Sequence, residues 1–501
     1  MKKIGLLVIC CLIKLSSVNA QERPNIIFLF SDDQTINTLG AYGNKDIITP
    51  NLDKLADKGI RFTNHYNTTS ICMASRACVM TGLYEYRHGT NFGHGDLERK
   101  LFNESYTAKL RKEGYYTGFV GKVGFVIEGE KFDDIEKDFD EFAGGPGQTS
   151  YITANNKPLV KYAVKYPHAT RANGAWAQDF MKNAKASGKP FCLSVSFKAP
   201  HRPTTPDPID LKRYESIKTF TKPINFGVKN GEHLSAQAHT SRAALQYRYW
   251  ITDFDQSARD YYALISGVDA AVGMIMDGLK EEGLDKNTII IFTSDNGYNC
   301  GAHGFAGKVL PYEEGSKSPL IIYDPRLPKK YNNKVSDALT SNVDMAATIL
   351  DFSGLPVSEE MDGKSLIPLL KKPNSEVRES LPLFNFWGVP EAHSMAIVTK
   401  DWKYVFWNSA SQGMKPTEEL FNLKNDSFEM HNVINKNSDV LNRMKSYYSV
   451  ELKTMKERLI EGHEYEHFPL LFDQNVNWNE KKSLDKDFQS IRKKKVKKVK
   501  K

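Results

Sequence analysis

Four short apolar runs constrain the fold of this chain more than any other feature, because they are hydrophobic without alternation. The runs are NIIFLF (25–30), YYTGFVG (115–121), FCLSVSF (191–197) and TIIIFT (288–293). Strands covered on both faces have this near-continuous pattern, which is typical of parallel sheets. Helical patterns separate the runs, as in residues 49–60, where Leu52, Leu55 and Ala56 form one stripe. The sequence therefore predicts an α/β fold with a large, mainly parallel sheet sandwiched by helices.

Polar residues follow each of these four runs. The runs end in Ser31-Asp32-Asp33, in Lys122, in Lys198-Ala-Pro-His201 and in Ser294-Asp295-Asn296-Gly297. Each pair alone is typical of a turn or a helix cap. Ligands of open α/β sheets, however, bind beyond the carboxyl ends of the strands. The joint placement therefore predicts that these side chains share one site.

Three carboxylates in one site, those of Asp32, Asp33 and Asp295, repel one another unless a cation or protons neutralise them. Asn296 adds an amide oxygen. Hard oxygen ligands without an accompanying histidine or thiolate pair favour Ca²⁺ or Mg²⁺ over zinc. The sequence therefore predicts a divalent-cation site at this edge of the sheet.

The segment SICMASRACVMTG (70–82) has the pattern of a helix that begins near Ser70 and stops at Gly82. Cys72 then lies in the first turn, where free N–H groups favour an anion, and Arg76 lies on the same face. Cys78 is displaced from Cys72 by roughly 9 Å along the axis, which is beyond disulfide reach. We expect Cys78 to be a core residue and Cys72 to carry chemistry.

The first twenty residues have the pattern of a cleavable signal peptide. Lys2 and Lys3 precede an apolar stretch over residues 4–13, and small residues end at Ala20. A membrane anchor is the alternative, but the stretch is too short to span a bilayer and Lys14 interrupts it. We expect cleavage near Ala20, export to the periplasm or the medium, and no stable membrane insertion.

The net charge of +8 comes from one end of the chain. Residues 492–501 contain eight Lys and Arg and no acid, which leaves 60 basic against 60 acidic residues elsewhere. Such a terminal run is usually solvated. No aromatic residues interleave with it as in a nucleic-acid site, so we expect no nucleic-acid partner.

The pattern changes from about residue 386. Residues 395–407 resemble an antiparallel hairpin, 418–429 a further strand and turn, and 438–460 one amphipathic helix. The predicted organisation is a signal peptide (1–20), a catalytic α/β domain (21–385), a smaller C-terminal α+β subdomain (386–470) and a polar, basic tail (471–501).

Cys72-Met73-Ala74-Ser75-Arg76, followed by Thr81-Gly82, resembles the motif of the type I, formylglycine-dependent sulfatases of the alkaline phosphatase superfamily. The resemblance covers most of residues 24–433. Further landmarks occur in the family's order: RPNIIFLFSDDQ, SDNG, GKVLPYEEGSKSPLII, DMAATILDFSGL and ELFNLKNDSFE. The chain thus looks like a bacterial polysaccharide sulfatase.

The resemblance implies a division of labour among the residues of the site. Ca²⁺, or less commonly Mg²⁺, would be held by Asp32, Asp33, Asp295, Asn296 and the residue at position 72. A maturase would oxidise Cys72 to formylglycine, whose hydrate would attack sulfur. Arg76 would stabilise that hydrate, Lys122 and Lys308 would hold sulfate oxygens, and His201 would protonate the leaving alkoxide. General chemistry supports the same roles, since cations offset charge on oxygens and a histidine manages the leaving group.

Two positions depart from the family's pattern. Gly124 stands where many members have a histidine two residues after the lysine of the third strand, and His303 is a possible substitute. Ala74 stands where proline is common, which leaves open which maturase reads the motif.

The expected substrate is a sulfated carbohydrate such as ulvan, carrageenan or a glycosaminoglycan. Segments 84–105 and 198–250 are long enough to build substrate subsites. Four polar residues of these segments, together with His303 outside them, are further candidates for binding carboxylate or hydroxyl groups of the substrate. The four are Arg87, His88, His94 and Arg202.

Three alternatives remain open from the sequence. A phosphoester or phosphonate hydrolase of the same superfamily can share the metal site and the cysteine. A non-catalytic protein that binds sulfated glycans would use the lysines and the basic tail. A zinc or redox role for Cys72 and Cys78 lacks partner ligands at a suitable spacing.

Overall fold

The computed structural model describes residues 23–484. The predicted signal peptide with its cleavage site at Ala20 and the basic run at 492–501 lie outside the described residues. Within 23–484 there are fourteen strands: β1 (Asn25–Ser31), β2 (Ile60–Phe62), β3 (His65–Tyr66), β4 (Tyr116–Lys122), β5 (Glu141–Gly145), β6 (Phe191–Ser196), β7 (Thr288–Ser294), β8 (Leu320–Tyr323), β9 (Lys334–Ser336), β10 (Thr340–Ser341), β11 (Leu381–Asn385), β12 (Ser394–Val398), β13 (Trp402–Trp407) and β14 (Thr417–Asn422).

The same residues form seventeen α-helices, many of them only one turn long. They are α1 (Pro50–Lys58), α2 (Cys72–Thr81), α3 (Glu85–His88), α4 (Arg99–Asn103), α5 (Tyr106–Lys112), α6 (Ala169–Ser187), α7 (Pro208–Lys212), α8 (Ala236–Thr240), α9 (Arg242–Gln246), α10 (Arg248–Thr252), α11 (Phe254–Glu281), α12 (Glu313–Ser316), α13 (Asp344–Phe352), α14 (Ile367–Lys371), α15 (Ser438–Arg458), α16 (Phe468–Leu471) and α17 (Trp478–Lys481).

The main sheet has eight strands in the order β5-β4-β6-β1-β7-β8-β2-β9. The four apolar runs of the sequence are its neighbouring central strands β4, β6, β1 and β7, which are all parallel. β8 runs antiparallel to both β7 and β2, so the sheet is mainly rather than wholly parallel. This confirms the predicted fold class.

Helices cover both faces of the sheet because successive strand residues point to opposite sides. Ile27 and Leu29 of β1 pack in one hydrophobic cluster with buried residues of α1, α6 and α11. Ile26 and Phe28 pack in another with residues of α2, α5, α13 and α14. Within 23–484, only α11 is long and apolar enough to cross a membrane, but 67% of its most apolar window is buried inside the protein. α11 is therefore a core helix that packs on α6.

A second, antiparallel sheet has the order β11-β12-β13-β14, and its first strand comes immediately before position 386. β12 and β13 form the predicted hairpin. α15 covers this sheet with Tyr448 and Leu452, which share a cluster with Tyr404 and Phe406 of β13. We call β11–β14 the C-terminal sheet.

Candidate active site

The predicted site residues converge at the carboxyl edge of the main sheet. β4, β6, β1 and β7 are adjacent and parallel, so the residues that follow them meet at one edge. Asp33 has a left-handed φ of 65° directly after β1, and its N–H donates to Oδ1 of Asp295 after β7 at 3.1 Å. The Tyr261 hydroxyl from α11 donates to the Asp33 carbonyl at 2.6 Å. The turn after β1 is therefore held by the neighbouring strand and by a core helix.

Cys72 is the first residue of α2, two residues later than the predicted start, and Gly82 ends the helix with a φ of 72°. The Cys72 Sγ lies 3.2 Å from Oδ1 of Asp32 and 3.8 Å from Oδ1 of Asn296. Lys308 donates to the same sulfur at 2.5 Å. The first turn of α2 thus brings Cys72 to the acids, the amide and the lysine predicted from the sequence.

Arg76 lies one turn further along α2, on the face that meets the sheet. Its Nε donates to Oδ2 of Asp295 at 2.8 Å, and its Nη1 donates to the Lys122 carbonyl at 2.8 Å. Nη1 also donates to the Ser196 hydroxyl, and the guanidinium lies 4.8 Å from the Phe30 ring centroid. Ser196 and Phe30 help to position Arg76, and no motif of the sequence pointed to either.

Three cations offset the three carboxylates of the site. Lys122 Nζ lies 2.5 Å from Oδ2 of Asp32, and Lys308 Nζ forms a salt bridge with Oδ1 of Asp33. Arg76 is only 2% exposed and Asp32 is fully buried, so these contacts act in a medium that screens charge weakly. Buried charges of both signs are thereby neutralised locally.

The pKa values of Asp32 and Asp295 are shifted in opposite directions. Burial alone raises the pKa of Asp32, but the nearby Lys122, His201 and Arg76 bring it well below its ordinary value. Burial and the neighbouring Asp32 charge raise the pKa of Asp295 to about 6, against the effect of Arg76. Asp32 is therefore ionised in the folded protein, and Asp295 is the more easily protonated of the two carboxylates.

The cysteines of the described region are free thiols. Burial, together with the charges of Asp295 and Asp32, raises the pKa of the Cys72 thiol well above its ordinary value. Burial does the same to Cys78, whose Sγ lies 3.3 Å from Nε2 of His88 in the core. Without a bound metal, Cys72 is therefore held as a thiol, and the Cys78 sulfur contacts His88 instead of sharing a site with Cys72. This weighs against the zinc or redox alternative.

His201 lies beside the acids in the loop after β6. Its Nδ1 is 2.6 Å from the Arg202 carbonyl, which only accepts, so Nδ1 donates and Nε2 is turned toward Oδ2 of Asp33 at 3.6 Å. Burial lowers the pKa of His201 although Asp32 and Asp33 act in the other direction. The hydrogen bond to the Arg202 carbonyl therefore fixes the orientation of the His201 ring beside the acids of the site.

Position 124, where many family members have a histidine, has no room for a side chain. Its φ of 89° lies in the left-handed region, and a Cβ there would come within 2.3 Å of Cδ of Arg76. The proposed substitute, His303, does not reach the site. It is fully buried, with Nε2 at 2.9 Å from Nδ2 of Asn225 and Nδ1 at 2.9 Å from the Asn230 carbonyl.

A cavity of about 480 Å³ opens over Cys72. Of the predicted residues, it is lined by Asp33, Cys72, His201, Arg202 and Lys308. Arg76, Lys122, Asp295 and Asn296 lie behind them in the protein. Segments 84–105 and 198–250 both contribute to the walls. Further lining side chains carried no motif in the sequence: Phe92, Gln148, Arg242, Gln246, Tyr249 and Trp387.

The remaining substrate candidates lie away from this cavity. Arg87 forms salt bridges to Asp362 at 2.9 Å and to Glu360 at 3.1 Å. His88 is buried against Cys78, as described above. His94 is buried with its ring centroid 4.1 Å from that of Tyr465. These three residues therefore stabilise the segment 84–105 and do not line the cavity.

The donor set fits a hard divalent cation. Asp32, Asp33, Cys72 and His201 each place one ligand atom within 4.8 Å of the others, and the amide oxygen of Asn296 faces the same sulfur. Oxygen donors predominate in this set, which favours Ca²⁺ or Mg²⁺. The oxygens of Asp295, the other predicted ligand, accept from Arg76 and from the Asp33 N–H.

Comparison with known proteins agrees with this arrangement. Residues 24–355 match the sequence model of the Sulfatase family, and residues 301–461 match that of the C-terminal part of N-sulphoglucosamine sulphohydrolase. The N-acetylglucosamine-6-O-sulfatase of Bacteroides thetaiotaomicron is 28% identical over 501 residues, which cover 87% of this chain and 87% of that protein.

Two solved structures have the same fold. One is a complex with its substrate D-glucosamine-2-N,6-O-disulfate, at 26% identity and a TM-score of 0.71, covering 87% of this chain and 99% of that one. The other, the phosphonate monoester hydrolase of Agrobacterium radiobacter, is 21% identical with a TM-score of 0.69, covers 87% and 96%, and shows the fold alone. Because the family match spans more than half of the chain, the protein belongs to the sulfatase family, which is part of the alkaline phosphatase superfamily. It is therefore a sulfuric ester hydrolase.

Proposed function

We propose that this sulfatase removes sulfate from a sulfated carbohydrate, with formylglycine in place of Cys72. The observation that carries the proposal is the position of Cys72. It begins α2 at the base of a cavity of about 480 Å³, in contact with Asp32 and Lys308. The related glucosamine sulfatase and the disulfated glucosamine in the similar structure support a carbohydrate as substrate.

Each side chain has a role that follows from its contacts. Lys308 reaches both Cys72 and Asp33 from the cavity wall, so its ammonium would hold a sulfate oxygen over residue 72. Lys122 and Arg76 would offset charge from behind. His201, oriented by the Arg202 carbonyl, would transfer a proton at Nε2 to the leaving oxygen. When present, formylglycine supplies the hydrated aldehyde as nucleophile.

We further propose Ca²⁺ as the resident cation, with Mg²⁺ the less favoured choice. Asp32, Asp33 and Asn296 would hold it together with residue 72, and Asp295 would join them if Arg76 moved toward the substrate. The cation would supply positive charge for sulfate oxygens. Metal analysis of the purified protein should find stoichiometric calcium.

Export is part of the same proposal. The predicted signal peptide would deliver the protein to the periplasm or the medium, where sulfated polysaccharides such as ulvan, carrageenan and glycosaminoglycans occur. The cysteine would be converted by a maturase that accepts Ala74 in the motif. The partners proposed here are thus a sulfated carbohydrate and a formylglycine-generating enzyme.

Replacing Cys72 by Ala tests the proposal most directly. We expect sulfate release from sulfated oligosaccharides to fall by about 10⁴-fold or more, because loss of a covalent nucleophile has effects of that size. Ion chromatography of sulfate measures the loss. In the unchanged protein, co-expressed with a maturase, the tryptic peptide 62–76 should have the mass of an aldehyde at position 72.

Cys78→Ala is the matched control, since it removes a buried thiol from the same helix without touching the cavity. It should keep sulfate release within a few-fold. A thiol at position 72 together with no sulfate release would contradict the proposal and favour a glycan-binding protein. Turnover of a phosphate or phosphonate ester well above the matched sulfate ester would favour the alternative hydrolase.

A further inference from the structure

The cavity over Cys72 carries more positive charge than one sulfate ester needs. Its only acidic lining residue is Asp33, which already contacts Lys308 and His201. Two more cations, Arg202 and Arg242, line the same cavity. A single scissile sulfate has one negative charge, and Lys308, Lys122 and Arg76 already surround its expected position. The side chains of these two arginines therefore have no role in the proposed reaction.

Arg202 is held by stacking rather than by an acid. Its guanidinium carbon lies 3.8 Å from the ring centroid of Tyr249, and among the described residues it forms no salt bridge. A guanidinium stacked on its face keeps its N–H edge available, and that edge matches a carboxylate or a sulfate. Arg202 is thus preorganised for an oxyanion.

Arg242 has a similar environment, because it also stacks on an aromatic ring that lines the cavity. It begins α9, and its guanidinium carbon lies 5.6 Å from the ring of Trp387, with no carboxylate partner within residues 23–484. Trp387 in turn contacts Phe92 at 6.2 Å between centroids. Aromatic walls with a few placed polar groups are typical of ligand pockets.

Gln246 lies one helical turn from Arg242 on α9 and also lines the cavity. A Cβ at Gly307 would come within 2.6 Å of its Oε1, and Gly307 has a φ of 102°. Glycine there lets the amide approach the loop that carries Lys308. The amide therefore lies in the cavity wall beside the loop that carries Lys308, where it can bind a sugar hydroxyl.

We propose that Arg202 and Arg242 form a second anion subsite, which binds a further carboxylate or sulfate on the sugar that carries the scissile sulfate or on its neighbour. The inference rests on the proposed carbohydrate sulfatase function and narrows its substrate class to sugars with at least two anionic groups. Trp387 and Tyr249 hold the two guanidiniums, and Gln246 recognises the sugar between them.

Binding by the Cys72→Ala protein tests the subsite without turnover. The probes are N-acetylglucosamine 6-O-sulfate with one charge, D-glucosamine-2-N,6-O-disulfate with two, and sulfated uronate-containing disaccharides from ulvan and glycosaminoglycans. Arg202→Gln and Arg242→Gln should each weaken binding of the doubly charged probes by about tenfold or more, the loss of one charge-assisted contact. Binding of the singly charged probe should be unchanged. The probe class that loses affinity distinguishes sulfate from carboxylate.

Arg248→Gln is the matched control. Arg248 is exposed and also lies over Tyr249, at 5.0 Å, but it does not line the cavity. The subsite is overturned if Arg248→Gln has the same effect, if all probes lose affinity equally, or if neither cavity variant changes binding. Failure of the proposed function is separate, since it would appear as no sulfate release from any probe by the mature protein.

Discussion

Two buried clusters of charge lie in different parts of this protein and use the same residue types differently. The first is the site at the sheet edge, where three acids meet Arg76, Lys122 and Lys308. The second, which we call the interface cluster, joins the main domain to the C-terminal sheet and contains Tyr66, Glu313, Lys317, Lys403 and Glu429. The first borders an open cavity. In the second, every acid and Lys403 are less than a tenth exposed.

Lys403 of β13 is the centre of the interface cluster. Its Nζ lies 2.8 Å from an oxygen of Glu313 and 2.8 Å from an oxygen of Glu429. Although burial raises the pKa of Glu313, Lys317 and Lys403 lower it to about 2. Burial raises the pKa of Glu429, for which Lys403 is the nearest cation. One lysine thus neutralises acids from two segments and fixes the C-terminal sheet in place.

The two clusters differ more in the number of cations around each acid than in the burial of the acids. Asp32 has Lys122, His201, Arg76 and Lys308 as neighbours, so one cation can be lost or shared with a ligand. Among residues 23–484, Glu429 forms a salt bridge with Lys403 and with no other cation. Redundant cations suit a site that must accept a substrate anion, whereas a single shared cation suits a fixed contact.

Lys403→Met should give the largest effect. Removing the shared cation leaves the buried Glu429 without a cation and, within the described residues, with only the Glu313 N–H, at 2.8 Å, as a hydrogen-bond donor. Loss of one partner of a buried ion pair destabilises by about 3–5 kcal/mol. Denaturant unfolding measures the loss, and sulfate release per folded molecule should stay near normal. Lys400→Ala is the control, because its salt bridge to Asp337 is about half exposed and should contribute less than ~1 kcal/mol. Equal losses for both variants would remove the distinction drawn above.

Lys122→Met should behave in the opposite way. We expect sulfate turnover to fall by about 10²–10³-fold, because one preorganised buried charge behind the reacting group is lost. The free energy of unfolding should change less than in Lys403→Met, since Asp32 keeps Arg76, Lys308 and His201. Initial rates and denaturant unfolding on one preparation measure both quantities. A stability loss as large as that of Lys403→Met would show that the cations of the site are not redundant.

Glu85→Gln sharpens the comparison with a buried acid that has no cation. Burial raises the pKa of Glu85 from 4.5 to about 7, although Tyr465 donates to it at 2.7 Å and Asn91 also donates. Between pH 4.5 and about pH 7, the folded protein therefore carries a proton on Glu85 that the unfolded protein has largely lost. Its stabilising contribution is complete below about pH 4.5 and is lost as the pH rises through about 7.

The amide cannot ionise, so the variant should lack this loss. Relative to Glu85→Gln, the unchanged protein should lose about 2–3 kcal/mol of stability between pH 5 and pH 8. Thermal and denaturant unfolding over this pH range measure the difference. Exposed Glu113→Gln should show no such trend, and a parallel curve for Glu85→Gln would mean that Glu85 is ionised in the folded protein at all these pH values.

Much of the fold followed from local patterns. The four apolar runs became β1, β4, β6 and β7 to within one residue at most ends, and residues 438–460 became α15. These elements depend on hydrophobic periodicity over a few neighbours, which the sequence contains. The position of His303 did not follow, because a histidine near Lys308 in sequence was turned instead toward Asn225, which lies far away in the chain.

The sequence by itself determined which chemical groups this protein brings to the sheet edge. Asp32 and Asp295 directly follow β1 and β7, Lys122 is the last residue of β4, and His201 lies in the loop after β6. Parallel strands place their carboxyl ends together. Only the tertiary structure decided which cation meets which acid and what forms the cavity wall. Arg242 and Trp387, or Lys403 and Glu313, come from segments with no local signal for each other. Their contacts depend on how the C-terminal sheet packs on the main domain, and that packing is a property of the whole chain.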